Sequence, residues 1–332
     1  MGTRTLFLAG MSALEVWTAS ATGHAPSPTP TRAVSLRDCA TSLTDIRAFD
    51  VGRLGVDSRS LDVLVPPDGG NRATLSVRRR RAARAYPQRS FFRVSDHVLA
   101  CCPELCFVQL AREFSLIDLV LFGYEICGSF AIDRQRESLV ARRALTTVQR
   151  LRAYAQAAGA MPGAAKARTA SSLVLNGSRS PMESKVAFEL SAPRHLGGFG
   201  LPAPVLNKPL SFTRPDGTIV RKGDLLWERH GVVIEYDSSE RHEGEANIDR
   251  DARRRNEFIA DAYRVLTVTK QQAHDLASME HVARHLERLL GIRLRSRTSD
   301  LEGRRLKLHQ SLYPKVDRAP RPAVARHDLP WQ

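Results

Sequence analysis

Three carboxylates lie at the ends of two short apolar segments, where their oxygens could hold a divalent cation. Residues 232–237 are Val-Val-Ile-Glu-Tyr-Asp, so an apolar run typical of a buried strand ends in Glu235 and Asp237. A third acid, Asp224, comes directly before the apolar segment 225–227. Residues 228–231 join the two apolar segments. A four-residue loop that contains glycine is a common connection in hairpins.

Pairing about this loop brings the acids together. It predicts four cross-strand pairs: Trp227 with Val232, Leu226 with Val233, Leu225 with Ile234, and Asp224 with Glu235. Opposed Cβ atoms in a hairpin lie about 4.5–5.5 Å apart, and like charges at that separation destabilise the sheet. Side chains alternate between faces, so Asp237 shares the face of Glu235. A cluster of hard oxygen ligands suits Mg²⁺ or Mn²⁺, which would offset the repulsion.

The alternative is that each acid lies in solvent at a strand end, paired with a basic side chain such as Arg221, Lys222 or Arg241. That explanation suffices for any one acid. It accounts less well for three acids in mirrored positions, so we favour the metal site.

The combined pattern resembles the restriction-endonuclease-like PD-(D/E)XK superfamily, and within it the branch related to very-short-patch-repair endonucleases. The matching residues are Ser180-Pro181-x-Glu183, Asp224-Leu225-x-Trp227, Val233-Ile234-Glu235-Tyr236-Asp237, His242, Asp251-x-x-Arg254 and the segment 263–269. Residues 163–184 also resemble the segment before this domain in bacterial proteins related to abortive-infection antitoxins. The likeness is good over residues 176–270 and looser from residue 95.

The resemblance implies an α/β, restriction-endonuclease-like core with the element order α-β-β-β-α-β-α. It also implies a Mg²⁺- or Mn²⁺-dependent endonuclease that hydrolyses DNA, in phage defence or in repair. Asp224 and Glu235 are then metal ligands, and Asp237 is a ligand or orients a water molecule. His242 is a candidate to position or deprotonate that water, or to protonate the leaving oxygen.

Two positions depart from the superfamily pattern. Asp237 stands where the superfamily usually has Lys, which agrees with the narrower branch but removes a positive charge. His242 follows Asp237 by five residues where four are more usual, and Ser238 replaces a common Gly. His242 therefore also fits a surface histidine beside Glu243.

Glu183 fits two roles. Ser180, Pro181 and Glu183 form a strong helix start, in which Glu at the third helical position caps the backbone and needs no catalytic function. Because Glu183 also matches the family pattern, it could equally reach the metal through water.

Basic residues could line a path for nucleic acid. The candidates are Arg254 and Arg255 in the run 253–255 and Arg79 and Arg80 in the run 78–81. A solvated charge run, or a pair between Arg254 and Asp251, explains them as well. Base-specific recognition is not predicted, because no recognition helix or zinc finger is evident.

The composition is ordinary except for charge. The chain has 50 Lys and Arg against 35 Asp and Glu, a formal charge of +15. This favours a polyanionic partner, DNA before a membrane, although an arginine-rich proteome gives the same bias. Residues 1–17 weakly resemble a signal peptide, but Glu15 and Trp17 interrupt it. The five cysteines fit reduced thiols, so we expect a cytoplasmic protein with no membrane span.

Three regions are expected to position these residues. An N-terminal α+β region, residues 1–175, should hold a loop at 18–33, short strands over 60–104, two helices separated at Ser115, a helix from Ser138 to about Ala158, and another over 163–175. Residues 176–295 form the nuclease-like domain, with a helix at 249–263, a buried strand at 264–269, and a long amphipathic helix closed by Gly291. Residues 296–332 form a basic flexible tail.

A second function is also compatible with the sequence. The antitoxin-like region suggests a non-catalytic regulator that binds DNA or a toxin through a nuclease-like fold. The three retained acids favour the enzyme, because a domain without catalysis has no need of them. Neither interpretation predicts an oligomeric state.

Overall fold

The chain divides into two compact units, Met1–Val174 and Leu175–Gln332. The computed structural model describes residues 4–31, 35–36, 38–69, 74, 76–83, 85–133, 138–214, 217–237, 258, 261–293 and 299–314. Both units combine helices with strands, so the chain is of the mixed α/β class. Within the described residues, no helix has the length and hydrophobicity that crossing a bilayer requires.

Six strands of the described part of the N-terminal unit form one sheet, in the order β2-β5-β6-β1-β3-β4. They are β1 (Leu6–Leu8), β2 (Thr29–Pro30), β3 (Leu61–Val65), β4 (Val77–Arg81), β5 (Phe91–Ser95) and β6 (Val98–Cys101). The apolar strand β1 lies in the middle, parallel to β6 and antiparallel to β3, and is fully buried. The predicted short strands over 60–104 are confirmed.

Helices and one hairpin complete this unit. The helices are α1 (Gly10–Ala21), α2 (Leu43–Arg47), α3 (Pro103–Leu110), α4 (Leu116–Cys127), α5 (Val148–Ala157) and α6 (Ala164–Leu173); the hairpin joins β7 (Phe130–Asp133) to β8 (Ser138–Ala141). Ser115 separates α3 from α4, as predicted, because its hydroxyl caps α4 by accepting the N–H of Asp118 at 3.1 Å.

Two predictions for this unit are wrong in part. The helix expected from Ser138 begins only at Val148, because residues 138–141 pair with β7 and Thr147 caps α5. The loop expected over 18–33 begins later, because α1 continues to Ala21. In both cases tertiary pairing or burial overrides the local sequence preference.

The C-terminal unit begins with helix α7 (Pro181–Ser191) and a sheet in the order β14-β13-β12-β9. Its strands are β9 (Val205–Leu206), β12 (Leu225–Trp227), β13 (Val232–Asp237) and β14 (Arg264–Thr269), and a separate hairpin joins β10 (Pro209–Arg214) to β11 (Gly217–Lys222). Helices α8 (Lys270–Ala273), α9 (Leu276–Leu289) and α10 (Ser299–Leu312) follow. The strand at 264–269 and the long helix before Gly291 are confirmed, although β14 is buried only at Val268. The predicted helix at 249–263 lies mostly outside the described residues.

The flexible tail predicted for residues 296–332 is wrong for residues 299–314. These residues contain α10, which buries Leu301, Leu308 and Leu312. The spacing of these leucines places them on one face of a helix. In the sequence, the many charged residues of this segment hide the apolar pattern. In the folded helix, most of these charged residues are exposed, on the side away from the leucines. Residues 315–332 lie outside the described residues.

Candidate active site

The hairpin of β12 and β13 has the predicted register. Leu225 pairs with Ile234, Leu226 with Val233 and Trp227 with Val232. A 3-10 turn at Glu228–His230 joins the strands, and Gly231 closes it with a φ of 57° that favours glycine. The fourth predicted pair, Asp224 with Glu235, lies one position beyond these three pairs and stays a prediction.

Asp224 turns toward the backbone of β13. Its Oδ2 accepts the N–H of Tyr236 at 2.8 Å, between the two acids of that strand. The preceding residue must be small, because a Cβ on Gly223 would lie 2.6 Å from Cγ1 of Val233. The close approach at Gly223 therefore helps to bring the Asp224 carboxylate to the strand.

Glu235 and Asp237 are half-buried and point to the same face of β13, since one residue separates them. Oε1 of Glu235 is shielded from solvent. Burial, and then the charge of Asp237, raise the pKa of Tyr236 to about 12. In parallel β14, Thr267 lies beside Glu235 and Thr269 beside Asp237. The end of β13 is thus acidic on one face, with hydroxyl residues next to it.

Glu183 both caps α7 and faces the acidic strand end. Its backbone N–H donates to the Ser180 hydroxyl at 3.1 Å, and its Oε2 accepts the N–H of Arg179 at 2.9 Å. The residue is only 8% exposed. Burial, and then the charge of Asp224, raise the pKa of Glu183. The two carboxylates therefore lie close enough to repel each other, and the capping role does not exclude a role in the site.

Asn207 belongs to the site and was missed by sequence reasoning. Its Nδ2 donates to Oε2 of Glu183 at 2.6 Å and to the carbonyl of Gly177 at 3.1 Å. Its backbone N–H donates to the carbonyl of Asp224 at 3.1 Å. Oδ1 is buried and has no hydrogen-bond partner among the described residues. The available signal was weak: asparagine tolerates the positive φ of 49° that this turn requires.

The site fits an open, hydrated cation rather than a closed cage. Among the described residues, no group of three or more His, Cys, Asp or Glu is arranged to hold a metal ion. Mg²⁺, however, commonly retains several waters and takes only one or two carboxylates from the protein. Glu183, Asp224 and Glu235 contribute only oxygen donors, which suits Mg²⁺ or Mn²⁺.

No family model, curated protein or solved structure matches this chain. Any function assigned to the site must therefore come from its own residues.

The predicted DNA-contacting arginines of the N-terminal unit have partners inside that unit. Nε of Arg79 donates to the carbonyl of Thr41 at 3.1 Å. The Arg80 side chain is 10% exposed and pairs with Asp62 at 3.1 Å and with Glu113 at 2.6 Å. A phosphate could reach Arg80 only if those ion pairs opened. Three other predicted residues, His242, Arg254 and Arg255, lie outside the described residues.

A second polar cluster fixes the far end of α7. Glu189, only 1% exposed, lies 2.8 Å from Nδ1 of His309 on α10, and Nε2 of His309 lies 3.1 Å from the carbonyl of His274. Both ring nitrogens face acceptors, so the imidazolium satisfies both. Burial by itself lowers the pKa of His309, but the hydrogen bond and charge of Glu189 outweigh it and raise the pKa. Helix α10 thereby holds in place the helix that carries Glu183.

Lys185 belongs to the same buried face of α7. Burial lowers the pKa of its ammonium group to about 8. The ammonium lies 5.5 Å from the ring centroid of Tyr313, where the ring face stabilises a cation. Like Glu189, this lysine was missed because its partner comes from the segment predicted to be a tail.

Proposed function

We propose that the C-terminal unit is a metal-dependent endonuclease with a restriction-endonuclease-like core that hydrolyses phosphodiester bonds in DNA. The observation that carries this proposal is at one end of the β12–β13 hairpin, where the charge of Asp224 acts on Glu183 and Asp224 accepts the N–H of Tyr236, the residue next to Glu235. Opposed acids at the end of an apolar hairpin are costly for folding alone. Their presence is best explained by a cation that they bind.

Each acid has a role that its position allows. Asp224 and Glu235 would hold the ion, because Asp224 directly precedes β12 and Glu235 lies near the end of the neighbouring strand β13. Asp237, on the same face, would serve as a further ligand or orient a water molecule by accepting a hydrogen bond from it. Glu183 would contact the ion through water while it caps α7. A bound Mg²⁺ or Mn²⁺ lowers the pKa of a coordinated water and offsets charge on the phosphate.

His242 is proposed to position the water, to accept its proton, or to protonate the leaving oxygen. An imidazole titrates near neutral pH and can perform either proton transfer. Arg254 and Arg255 are proposed to contact DNA phosphates, helped by the +15 charge of the chain. Arg79 and Arg80 remain weaker candidates, because both donate to partners within their own unit.

Plasmid nicking with and without Mg²⁺ or Mn²⁺ tests this function. We expect the full-length protein to cleave only with metal, and Asp224→Asn to abolish cleavage. DNA binding by Asp224→Asn should be unchanged or stronger, because one negative charge is lost. His242→Ala should reduce the rate by about 100-fold if the imidazole transfers a proton. Cleavage that survives in Asp224→Asn would place the reaction elsewhere.

Asp300→Asn is the matched control. Asp300 is 69% exposed on α10, where it pairs with Arg304. This variant also removes one negative charge from the C-terminal unit, but it leaves the acids of the site unchanged. It should therefore cleave like the wild type. Loss of cleavage in both variants would mean that charge, rather than the site, controls the reaction.

One observation favours a second function, a non-catalytic regulator that binds DNA or a toxin. The described residues include no group of three His, Cys, Asp or Glu arranged for a metal. A nuclease-like domain that serves only as a binding platform would tolerate such an incomplete site. Tight, salt-dependent DNA binding with no cleavage under any divalent metal would support the regulator.

A further inference from the structure

Asn207 connects the backbone at Asp224 to the helix that carries Glu183. It directly follows β9, in which Leu206 pairs with Leu225 of β12. The backbone N–H of Asn207 then donates to the carbonyl of Asp224 at 3.1 Å. The φ of Asn207 is 49°, a conformation that asparagine tolerates and that ends the extended strand. Asn207 is therefore bound through its backbone to the residue that supplies the first candidate metal ligand.

The side-chain amide of Asn207 is oriented by two acceptors. Its Nδ2 donates to Oε2 of Glu183 at 2.6 Å and to the carbonyl of Gly177 at 3.1 Å. Gly177 can lie this close to β9 because it has no Cβ, which would be 3.0 Å from the carbonyl oxygen of Leu206. A reversed amide would set Oδ1 against two oxygens that can only accept. The amide keeps its orientation although Oδ1 is buried without a partner among the described residues, so the acceptors decide that orientation.

The two carboxylate oxygens of Glu183 are used unequally. Oε2 accepts both short bonds, from the N–H of Arg179 at 2.9 Å and from the amide of Asn207 at 2.6 Å. Oε1 accepts the hydroxyl of Ser180 at 3.3 Å, and no second donor to it lies within the described residues. Because each carboxylate oxygen can accept about two bonds, Oε1 retains room for a further donor such as water.

The backbone that carries Glu183 is also held in place. The hydroxyls of Ser178 and Ser184 lie 2.8 Å apart, and each lies 2.9 Å from the carbonyl of Ser180. These contacts fix the first turn of α7 and the residues before it. The freedom that remains is rotation about the side-chain bonds of Glu183, and the bond from Asn207 restricts it.

We propose that Asn207 is a positioning residue of the acidic site, which holds the Glu183 carboxylate beside Asp224 and directs its Oε1 to a water of the bound ion. Residues that orient the groups around a metal commonly control its affinity without touching it. The effect on metal binding rests on the proposed function, whereas the hold on the carboxylate does not.

The first test needs no metal. The full-length protein is labelled with ¹⁵N in the side-chain amides of asparagine, of which the chain has five. The Asn207 signals are assigned by their absence in Asn207→Asp, which keeps the size of the side chain. Glu183→Gln removes the charge of the acceptor and should move the Asn207 signals more than those of the other four asparagines. Asn207 signals that do not respond to Glu183→Gln would overturn the proposal.

The second test measures Mn²⁺ affinity by electron paramagnetic resonance. Asn207→Gly removes the amide but tolerates the positive φ and keeps the N–H that donates to Asp224. It should weaken Mn²⁺ binding about tenfold, the lower end of the effect of residues that orient metal ligands. Gln271→Ala, which removes an exposed amide from α8, is the control and should bind like the wild type.

A double variant shows whether Asn207 acts through Glu183. If it does, Asn207→Gly combined with Glu183→Gln should bind Mn²⁺ no more weakly than Glu183→Gln alone, because the amide has lost the carboxylate that it orients. Effects that multiply, or undiminished binding by Asn207→Gly, would overturn the proposal.

The two tests separate this proposal from the proposed function. If the wild type binds no Mn²⁺ while the Asn207 signals respond to Glu183→Gln, the proposed function and the role in metal binding fail, and the hold on the carboxylate stands. If Asn207→Gly does not fold, the response of the Asn207 signals to Glu183→Gln decides.

Discussion

Two regions of the molecule set charged side chains against a sheet, and they treat charge in opposite ways. In the N-terminal unit, Arg78 and Arg80 on β4 face Asp62 on the neighbouring strand β3 and also contact Glu113. Burial lowers the pKa of Arg80, but the charges of Asp62 and Glu113 outweigh that effect and raise it. Opposite charges here satisfy one another.

In the C-terminal unit, the converging groups have the same sign. Glu183 and Asp224 come together beside the strand that carries Glu235, and they receive hydrogen bonds from the N–H groups of Arg179 and Tyr236. Backbone N–H groups satisfy the oxygens but carry no net charge. The comparison suggests that the first cluster exists for stability, whereas the second retains negative charge for an ion.

The largest stability effect should come from Asp62. Asp62→Asn leaves the buried guanidinium of Arg80 with one carboxylate fewer, so the N-terminal unit should lose about 3 kcal/mol of unfolding free energy. Hydrogen–deuterium exchange of β1 and β3 measures this loss. Asp50→Asn is the control, because its pair with Arg53 is exposed and should contribute nothing measurable. Equal effects of the two variants would contradict a stabilising role for the arginine cluster.

A somewhat smaller effect is expected at His309. His309→Gln should cost the C-terminal unit about 2 kcal/mol, because the charge-assisted bond to Glu189 is lost. The pKa of His309 is raised on folding, so its contribution is complete below the unfolded value near 6.5 and disappears as pH rises through the folded value.

The difference in unfolding free energy between wild type and His309→Gln should therefore shrink as pH rises from 6.5. Comparing the wild type with His309→Gln removes the contribution of Lys185, which both proteins share. The pKa of Lys185 is lowered to about 8, so its contribution makes stability rise with pH above that value. Hydrogen–deuterium exchange of α7 at several pH values provides the measurement. A difference that stays constant or grows would show that the imidazolium is not the stabilising form.

The smallest effect should be at Glu183. Because folding raises the pKa of Glu183, the wild type should lose stability as pH rises through the folded value, by on the order of 1 kcal/mol. Glu183→Gln should flatten this dependence between pH 4 and 7. Glu228→Gln, which alters an exposed pair with Lys208, should leave it intact. Identical pH profiles in thermal unfolding would argue that burial and the charge of Asp224 do not raise the pKa of Glu183.

The local parts of the site could be predicted from the sequence. A four-residue loop between Trp227 and Val232 leaves few alternative registers for two apolar strands, so the pairing of residues 225–227 with 232–234 could be predicted. The caps at Ser115 and Ser180 were equally accessible, because capping depends on residues three positions apart.

The non-local parts could not be predicted. Asn207 comes 24 residues after Glu183, and only the folded chain brings its amide to that carboxylate. His309 lies 120 residues from Glu189, within a segment whose many charges suggested a tail. Residues 138–141 form a strand because β7 pairs with them, which their own sequence does not specify.

The central claim is that the acidic end of the β12–β13 hairpin binds a divalent cation. Electron paramagnetic resonance of Mn²⁺ titrated into the full-length protein tests it directly, since free and bound Mn²⁺ give different signals. Wild type and Asp300→Asn should bind Mn²⁺ saturably with equal affinity, and Asp224→Asn should bind it at least about tenfold more weakly. No saturable binding by the wild type, or undiminished binding by Asp224→Asn, would contradict the claim.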